Sequence, residues 1–207
     1  MHSEGIGYIC LLDLRGRTMS IAVSPDFSHT LVDTAFGVIG LAWRQTAHGV
    51  AIVRLQLPAG TDDATEQALT RRINSARAET LPVEIERIVG MIQRYASGEA
   101  VDFSGVEVDV GPVEPIRRAI YTALRKLGHG ETLTYGELAD RAGFPGLAQA
   151  VGQAMGRNPV PLIIPCHRVL AAGGKLGGFS APGGVTTKER MLKLEHAIAE
   201  PAQGSLF

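Results

Sequence analysis

The most constraining feature of this sequence is an apolar segment, residues 159–165, that begins and ends with proline and leads directly into Cys166 and His167. Proline fixes its own φ and restricts the residue before it, so the segment is predicted to be stiff and buried. Such a segment would hold Cys166 and His167 in a fixed place. A loop with few side chains follows, and its backbone could lie against a planar ligand. Its glycines are Gly173, Gly174, Gly177 and Gly178.

Cys166 and His167 together point to nucleophilic chemistry. A thiol is a weak nucleophile until a base or a positive environment converts it to the thiolate. His167 could remove the proton directly or through water, and Glu195, in a helix predicted over 186–199, could orient the imidazole. A lone cysteine is also often inert core packing. Hydrolases, acyl transferases and alkyl acceptors can all use such a pair, so these residues leave the substrate open.

The composition is that of a globular protein. Of the 207 residues, 45% are hydrophobic and 20% are charged, which is close to the average for soluble domains. This length allows one large domain or two small ones. No apolar stretch approaches the roughly 18 residues of a spanning helix, and the amino terminus lacks the pattern of a targeting segment. We therefore expect a cytoplasmic protein with no membrane partner.

The two cysteines, Cys10 and Cys166, are too few for a disulfide framework. A zinc site would need histidines as well, but Cys10 with His2, His29 and His48 matches no zinc-binding spacing. The sequence thus predicts no metal and no cofactor, and Cys10 is interpreted as a core residue.

The order of elements predicts an α+β protein in two domains. An extension over 1–29 precedes an amino-terminal α/β domain, 30–110, with a small antiparallel sheet; a mostly helical domain, 111–200, and a tail, 201–207, follow. Strands are predicted over 36–43 and 49–57, and an extended connector over 102–110. Helices are predicted over 61–78, 82–96, 112–127 and 186–199.

Two further short helices are predicted over 134–142 and 145–155, joined by a two-residue turn that contains glycine. The first begins with a capping box formed by Thr134 and Glu137. Two short helices around a tight turn are typical of a helix-turn-helix, although helical hairpins also fill many cores. The pattern alone leaves both open, and a winged helix-turn-helix-like domain is the architecture expected for this half.

The second short helix is rich in small residues, although glycine costs about 1 kcal/mol against alanine inside a helix. Something is therefore expected to approach its backbone closely, either another helix or a narrow groove of a duplex. Charge adds a weak clue. Residues 1–110 hold 9 Lys+Arg against 14 Asp+Glu, and residues 111–207 hold 11 against 7. The carboxyl half is the better candidate for a polyanionic partner.

Several motifs of the carboxyl half match one known family. They are Asn-Pro-Val-Pro at 158–161, Ile-Pro-Cys-His-Arg-Val at 164–169, Gly-Phe-Ser at 178–180, and Lys188-Glu189 followed by Leu192 and Glu195. Together they resemble the methylated-DNA–protein-cysteine methyltransferases, also called O6-alkylguanine-DNA alkyltransferases. The resemblance is strong over residues 112–197, and a weaker similarity over 33–58 resembles the family's amino-terminal sheet domain.

The resemblance implies a DNA repair protein that swings an O6-alkylguanine out of double-stranded DNA and moves the alkyl group irreversibly to its own cysteine. Each molecule would act once, as a monomer without an obligate protein partner. By motif match, Cys166 is the acceptor, His167 the base through a bridging water, and Glu195 the residue that orients His167. Asn158 would connect the helix-turn-helix to the active-site loop, and Tyr135 would contact the guanine and help to rotate the nucleotide.

The same resemblance implies a set of residues that contact DNA or the extruded base. Small residues on the recognition helix would let its backbone approach the sugars of the minor groove. Val169 and Ser180 would contact the base through their backbones. The full set is Ala148, Gln149, Gly152, Met155, Arg157, Val169, Phe179 and Ser180.

Two departures from the family pattern bear on function. Gln149 stands where the family has an arginine that enters the base stack, so weaker binding or slower flipping is predicted. Ala181 and Pro182 are inserted next to the pocket, which affects the preferred alkyl size. A related subgroup lacks the acceptor cysteine and only marks lesions, and the presence of Cys166 argues against it. A non-catalytic lesion-binding module and a cysteine hydrolase remain the alternatives.

Overall fold

The structure, a computed structural model, describes residues 7–12, 18–23 and 26–198. The predicted tail and the far end of the helix predicted over 186–199 lie outside the described residues. So do the side chains of His2 and Cys10, which were considered above as zinc ligands. Across the described part of the chain, no helix reaches the length and hydrophobicity that a membrane span requires.

The first two strands, β1 (Gly7–Leu12) and β2 (Thr18–Val23), pair with each other in antiparallel fashion. Both strands lie in the extension predicted over 1–29, for which no strand was predicted because its sequence shows little strand periodicity. The next strand, β3 (Phe27–Val32), begins inside its boundary.

A mixed sheet forms the amino-terminal half. β4 (Ile39–Thr46) pairs antiparallel with β3 on one side and with β5 (Gly49–Gln56) on the other. A short strand, β6 (Ser75–Arg77), adds to β3 in parallel, which gives the order β5-β4-β3-β6. The sheet is therefore mixed, and the prediction of a small antiparallel sheet is wrong at this edge.

The helix predicted over 61–78 is shorter than expected. α1 (Asp62–Thr70) begins at Thr61, whose side chain accepts a hydrogen bond from the Ala64 N–H at 3.2 Å. It ends where the chain turns to form β6. Helical periodicity is local, whereas the pairing of β6 with β3 joins residues more than forty positions apart. Hydrogen bonds to β3 replace those that a continued helix would make.

α2 (Val83–Ala96) matches its prediction, with Pro82 directly before its first turn. Ile85, Ile88, Ile92 and Tyr95 recur at helical spacing and are at most 3% exposed. This buried face packs against β5. The connector that follows runs beside the sheet, because the Ile52 N–H donates to the Glu107 carbonyl at 2.9 Å.

The carboxyl half is mostly helical and makes the fold α+β as predicted. Its elements are α3 (Pro115–Leu124), β7 (Leu133–Thr134), α4 (Tyr135–Arg141), α5 (Ala148–Gly156), β8 (Val169–Leu170) and α6 (Gly184–Leu194). The capping box of Thr134 and Glu137 is present in both directions. The Tyr121 hydroxyl on α3 donates to the Ala154 carbonyl on α5 at 2.9 Å, which fixes α5 against the core.

Contacts of Leu55 and of Arg190 help to join the two halves of the chain. The backbone N–H of Leu55 on β5 donates to the Pro159 carbonyl at 3.0 Å. Arg190 on α6 lies over the Phe36 ring, 4.1 Å from its centroid, and donates to the Ala35 and Phe36 carbonyls. The amino-terminal sheet thus supports the segment that leads to Cys166.

Candidate active site

The segment before Cys166 is buried, as its prolines and apolar residues predict. Val160, Leu162, Ile163 and Ile164 are at most 2% exposed. Leu162 has a φ of 75°, an uncommon conformation that persists only where the surroundings impose it. Its neighbours supply that constraint, since the Ile164 N–H donates to the Val160 carbonyl at 2.9 Å.

Asn158 braces this segment from within. Its side-chain nitrogen donates to the Ile164 carbonyl at 2.8 Å, and its side-chain oxygen accepts from the Val160 N–H at 3.0 Å. One amide therefore joins the end of α5 to the turn that precedes Cys166.

Cys166 opens a single 3-10 turn, Cys166–Arg168, and is 6% exposed. Burial raises the pKa of the Cys166 thiol, while hydrogen bonding by Asn158 and the charge of Lys188 act against that rise without cancelling it. The thiol is therefore protonated at neutral pH. A base must remove its proton before the sulfur can act as a nucleophile.

His167, the next residue, is held by a buried carboxylate. Its Nε2 lies 2.8 Å from Oε1 of Glu195, and both side chains are fully buried. A carboxylate only accepts hydrogen bonds, so Nε2 carries the proton and Nδ1 is left as an acceptor. Among the described residues Nδ1 has no hydrogen-bond partner. Burial lowers the pKa of His167 despite the neighbouring carboxylate, so the ring is neutral at neutral pH.

Glu195, at the end of α6, is held by five hydrogen bonds. Besides His167 it accepts from Arg168 Nε and Nη2 at 2.8 and 2.9 Å, from the Tyr95 hydroxyl at 2.9 Å, and from the Gly130 N–H at 3.2 Å. Burial alone raises the pKa of Glu195, but the hydrogen bonds from His167 and Arg168 and the positive charge of Arg168 outweigh it and hold the pKa well below its ordinary value. The carboxylate is ionised and fixed in place.

Tyr135 lies next to the glycine loop. A Cβ added to Gly177, whose φ is +67°, would lie 3.5 Å from the Tyr135 hydroxyl oxygen. Burial raises the pKa of Tyr135, and the charge of Cys166 adds to the rise. The phenol therefore stays protonated and is able to donate a hydrogen bond.

A cavity of about 410 Å³ opens at Cys166, within the range of roughly 300–1,000 Å³ found for ligand pockets. It brings together several residues singled out in the sequence, along with the inserted Ala181 and Pro182. These are Met155, Asn158, Cys166, Phe179 and Ser180. Val169 is fully buried, so its side chain belongs to the core.

The remaining DNA-contact residues lie outside this cavity, on or next to α5. Gln149, Gly152 and Arg157 are exposed, and Ala148 is half-buried. A Cβ added to Gly152 or to Gly156 would meet no atom within 4 Å. Close packing inside the described fold therefore does not explain these two glycines. Of the two partners expected for the small-residue helix, this leaves one from outside the described fold.

Sequence reasoning assigned no role to three residues that shape the site. Arg168 and Tyr95 both bind Glu195, and Lys188, which is 1% exposed, donates to the Val169 and Leu176 carbonyls. Arg168 and Lys188 stand inside the quoted motifs. Tyr95 lies 100 positions from Glu195, and no local pattern marks it.

Known proteins share both sequence and fold with this chain. A family model described as the DNA-binding domain of 6-O-methylguanine DNA methyltransferase matches residues 115–197. A relative from Mycobacterium bovis named methylated-DNA–protein-cysteine methyltransferase is 43% identical over 58% of this chain and 69% of the relative. A relative of the same name from Mycolicibacterium paratuberculosis is 35% identical over 85% of this chain and 96% of the relative. A crystal structure of Mycobacterium tuberculosis OGT in complex with DNA aligns with a TM-score of 0.63, at 32% identity over 82% of this chain and 93% of that one.

These likenesses define a class: DNA repair proteins that transfer an alkyl group to a cysteine. Such a protein needs a fixed thiol, a base and a surface for DNA. The chain belongs to the methylated-DNA–protein-cysteine methyltransferase family.

Proposed function

We propose that Cys166 is the alkyl acceptor and that the substrate is an O6-alkylguanine swung out of double-stranded DNA. The observation that carries this assignment is the 2.8 Å contact between His167 and Glu195 directly beside Cys166. The contact holds neutral His167 in one tautomer, next to Cys166 in the sequence. Cys166 is the only cysteine whose side chain is described.

The transfer begins when His167 Nδ1 takes the proton of the Cys166 thiol, directly or through one water. The thiolate sulfur then attacks the alkyl carbon in line with the bond to O6. A sulfur–carbon bond forms and the carbon–O6 bond breaks, with its electron pair moving to the guanine. Donation from the Tyr135 hydroxyl stabilises the negative charge that develops on the ring. The product is a thioether at Cys166, which the site has no means to cleave, so each molecule acts once.

The guanine must leave the duplex because Cys166 lies within a cavity that an intact helix cannot enter. Extrusion costs a few kcal/mol, which contacts in the groove and the pocket offset. Phe179 and Ser180 line the cavity and are proposed to contact the base, as is the backbone of Val169.

We propose that α4 and α5 form the helix-turn-helix, within a winged helix-turn-helix-like domain. The open face of α5 is the proposed minor-groove surface, with Ala148, Gln149, Gly152 and Arg157 as contacts. Met155 reaches the cavity from the inner side of this helix. A boundary near residues 110–111 between two domains is part of this proposal, as is a cytoplasmic protein that acts as a monomer. The proposed transfer needs no second subunit, which supports monomeric action.

The decisive experiment is intact-mass and peptide mass spectrometry after incubation with duplex DNA that carries one O6-methylguanine. We expect one methyl group per molecule, on the peptide that contains Cys166, and none in a Cys166→Ser variant. Repeated turnover would identify a hydrolase instead. Binding to the lesion without modification would identify a non-catalytic module, and either result would overturn the proposal.

A further inference from the structure

The cavity at Cys166 has a second wall, which comes from the amino-terminal half of the chain. Three arginines line it, and they come from two different elements. Arg54 lies on β5, whereas Arg71 and Arg72 directly follow α1. Three arginines therefore border the same opening as Cys166.

None of the three arginines is paired with a carboxylate within the part of the chain that the structure describes. Arg54 is half-buried, and its buried Nε has no hydrogen-bond partner there. Burial, together with the like charges of Arg72 and Arg71, lowers the pKa of Arg54. Like charges held together without counter-charges disfavour one another, so an anion placed between them would be bound favourably.

Fold stability explains only one member of this cluster. Arg71 follows the last turn of α1, where a positive charge interacts favourably with the helix dipole. Arg72 is one position further on and is exposed, and Arg54 is on a strand. Neither gains from the dipole or from an ion pair in the described fold.

We infer that Arg54, Arg71 and Arg72 bind a backbone phosphate of the DNA strand that carries the extruded nucleotide. Guanidinium groups present several donors in a plane and match phosphate oxygens well. An extruded nucleotide remains joined to its strand through two phosphates, so a base in the cavity brings phosphates to its rim. The inference rests on the proposed function, because it needs a base in this cavity.

The cluster also supplies charge that α5 lacks. No basic residue occurs between Ala148 and Gly156, and Gln149 is neutral. The net charge of the two halves predicts that a polyanion binds the carboxyl half. These three arginines, however, belong to the amino-terminal half, which is acidic overall. The sheet half thus contributes directly to holding DNA.

The test measures affinity for a short duplex containing O6-methylguanine at several NaCl concentrations, with Cys166→Ser in every protein so that no transfer occurs. The double variant Arg71→Gln/Arg72→Gln is compared with Arg87→Gln on α2, an exposed arginine that does not line the cavity. Each lost phosphate contact reduces the slope of log K against log[salt] by about 0.9. We expect the double variant to lose about one unit of slope and about tenfold in affinity at low salt, and the control to keep both.

Replacement of both residues by lysine keeps the charge and is expected to restore most of the slope. An unchanged slope in the double glutamine variant, or an equal loss in Arg87→Gln, would overturn this inference. The parallel mass-spectrometry arm uses proteins with Cys166 intact. Absence of a methyl group on wild-type Cys166 would overturn the proposed function, whereas methylation with an unchanged slope would overturn only the phosphate site.

Discussion

Arg168 donates to both carboxylate oxygens of Glu195, from Nε at 2.8 Å and from Nη2 at 2.9 Å. The same guanidinium donates through Nη1 to the Leu127 carbonyl at 2.6 Å. Arg168 therefore fixes the Glu195 carboxylate independently of His167. The orientation of His167 depends on a buried ion pair as well as on its own hydrogen bond.

Glu195→Gln is expected to destabilise the protein strongly. It removes one charge of a buried pair and leaves the Arg168 guanidinium uncompensated, which costs about 3–5 kcal/mol. Methyl transfer should fall as well, because His167 loses its anionic partner. Tyr95→Phe is the control, since it removes one hydrogen bond to the same carboxylate and costs about 1 kcal/mol. Urea denaturation measures both, and equal losses would contradict the central role of the ion pair.

The acid limit of methyl transfer is expected below pH 6.5, the ordinary pKa of histidine. His167 must be neutral to accept the thiol proton, and burial lowers its pKa. Transfer should therefore persist as pH falls through 6.5 and be lost only at the lowered pKa. Single-turnover rates from pH 5 to 8 check this, and an acid midpoint above 6.5 would contradict it.

The same lowered pKa makes stability depend on pH. Below pH 6.5 the histidine of the unfolded chain takes up a proton while folded His167 does not, so the free energy of unfolding decreases on acidification. A His167→Gln variant should lose this part of the dependence. If its stability follows the wild-type curve over that range, His167 is not the group responsible.

Gly130→Ala is expected to be more harmful than Gly111→Ala. Both glycines have positive φ, +76° and +68°, so both substitutions carry the backbone cost of about 1–2 kcal/mol. At Gly130 the new Cβ would also lie 2.9 Å from the Glu195 carbonyl oxygen, whereas at Gly111 it meets nothing within 4 Å. Overpacking adds about 1–3 kcal/mol. Thermal denaturation of the two variants isolates this contact, and equal melting temperatures would refute it.

Gln149→Arg is expected to raise the transfer rate at subsaturating DNA by a few-fold. Gln149 is exposed on α5, and a longer, charged side chain there fills the space of an extruded nucleotide better than glutamine. Gln153→Arg adds the same charge to an exposed position of the same helix and controls for general attraction to DNA. An equal gain in both variants, or none in either, would contradict the assigned role of position 149.

Local signals in the sequence were sufficient for much of this molecule. The capping box of Thr134 and Glu137 and the proline before α2 predict where those helices begin, because the hydrogen bonds of a helix terminus involve neighbouring residues. The proline-bracketed segment likewise predicts the burial that surrounds Cys166. The features that were missed depend on partners far apart in the chain. β6 forms through its pairing with β3, Tyr95 meets Glu195 from another helix, and Arg54 approaches Arg72 only in the folded protein.

The hydrogen bond from Leu55 to Pro159 limits how this chain can be divided. A truncated protein that began after the sheet would leave the Pro159 carbonyl without its donor and would uncover the apolar side of the segment that carries the reactive sulfur. Expression of the helical half alone, or its fusion to another domain, therefore requires a replacement strand that donates a hydrogen bond to the Pro159 carbonyl and covers this segment.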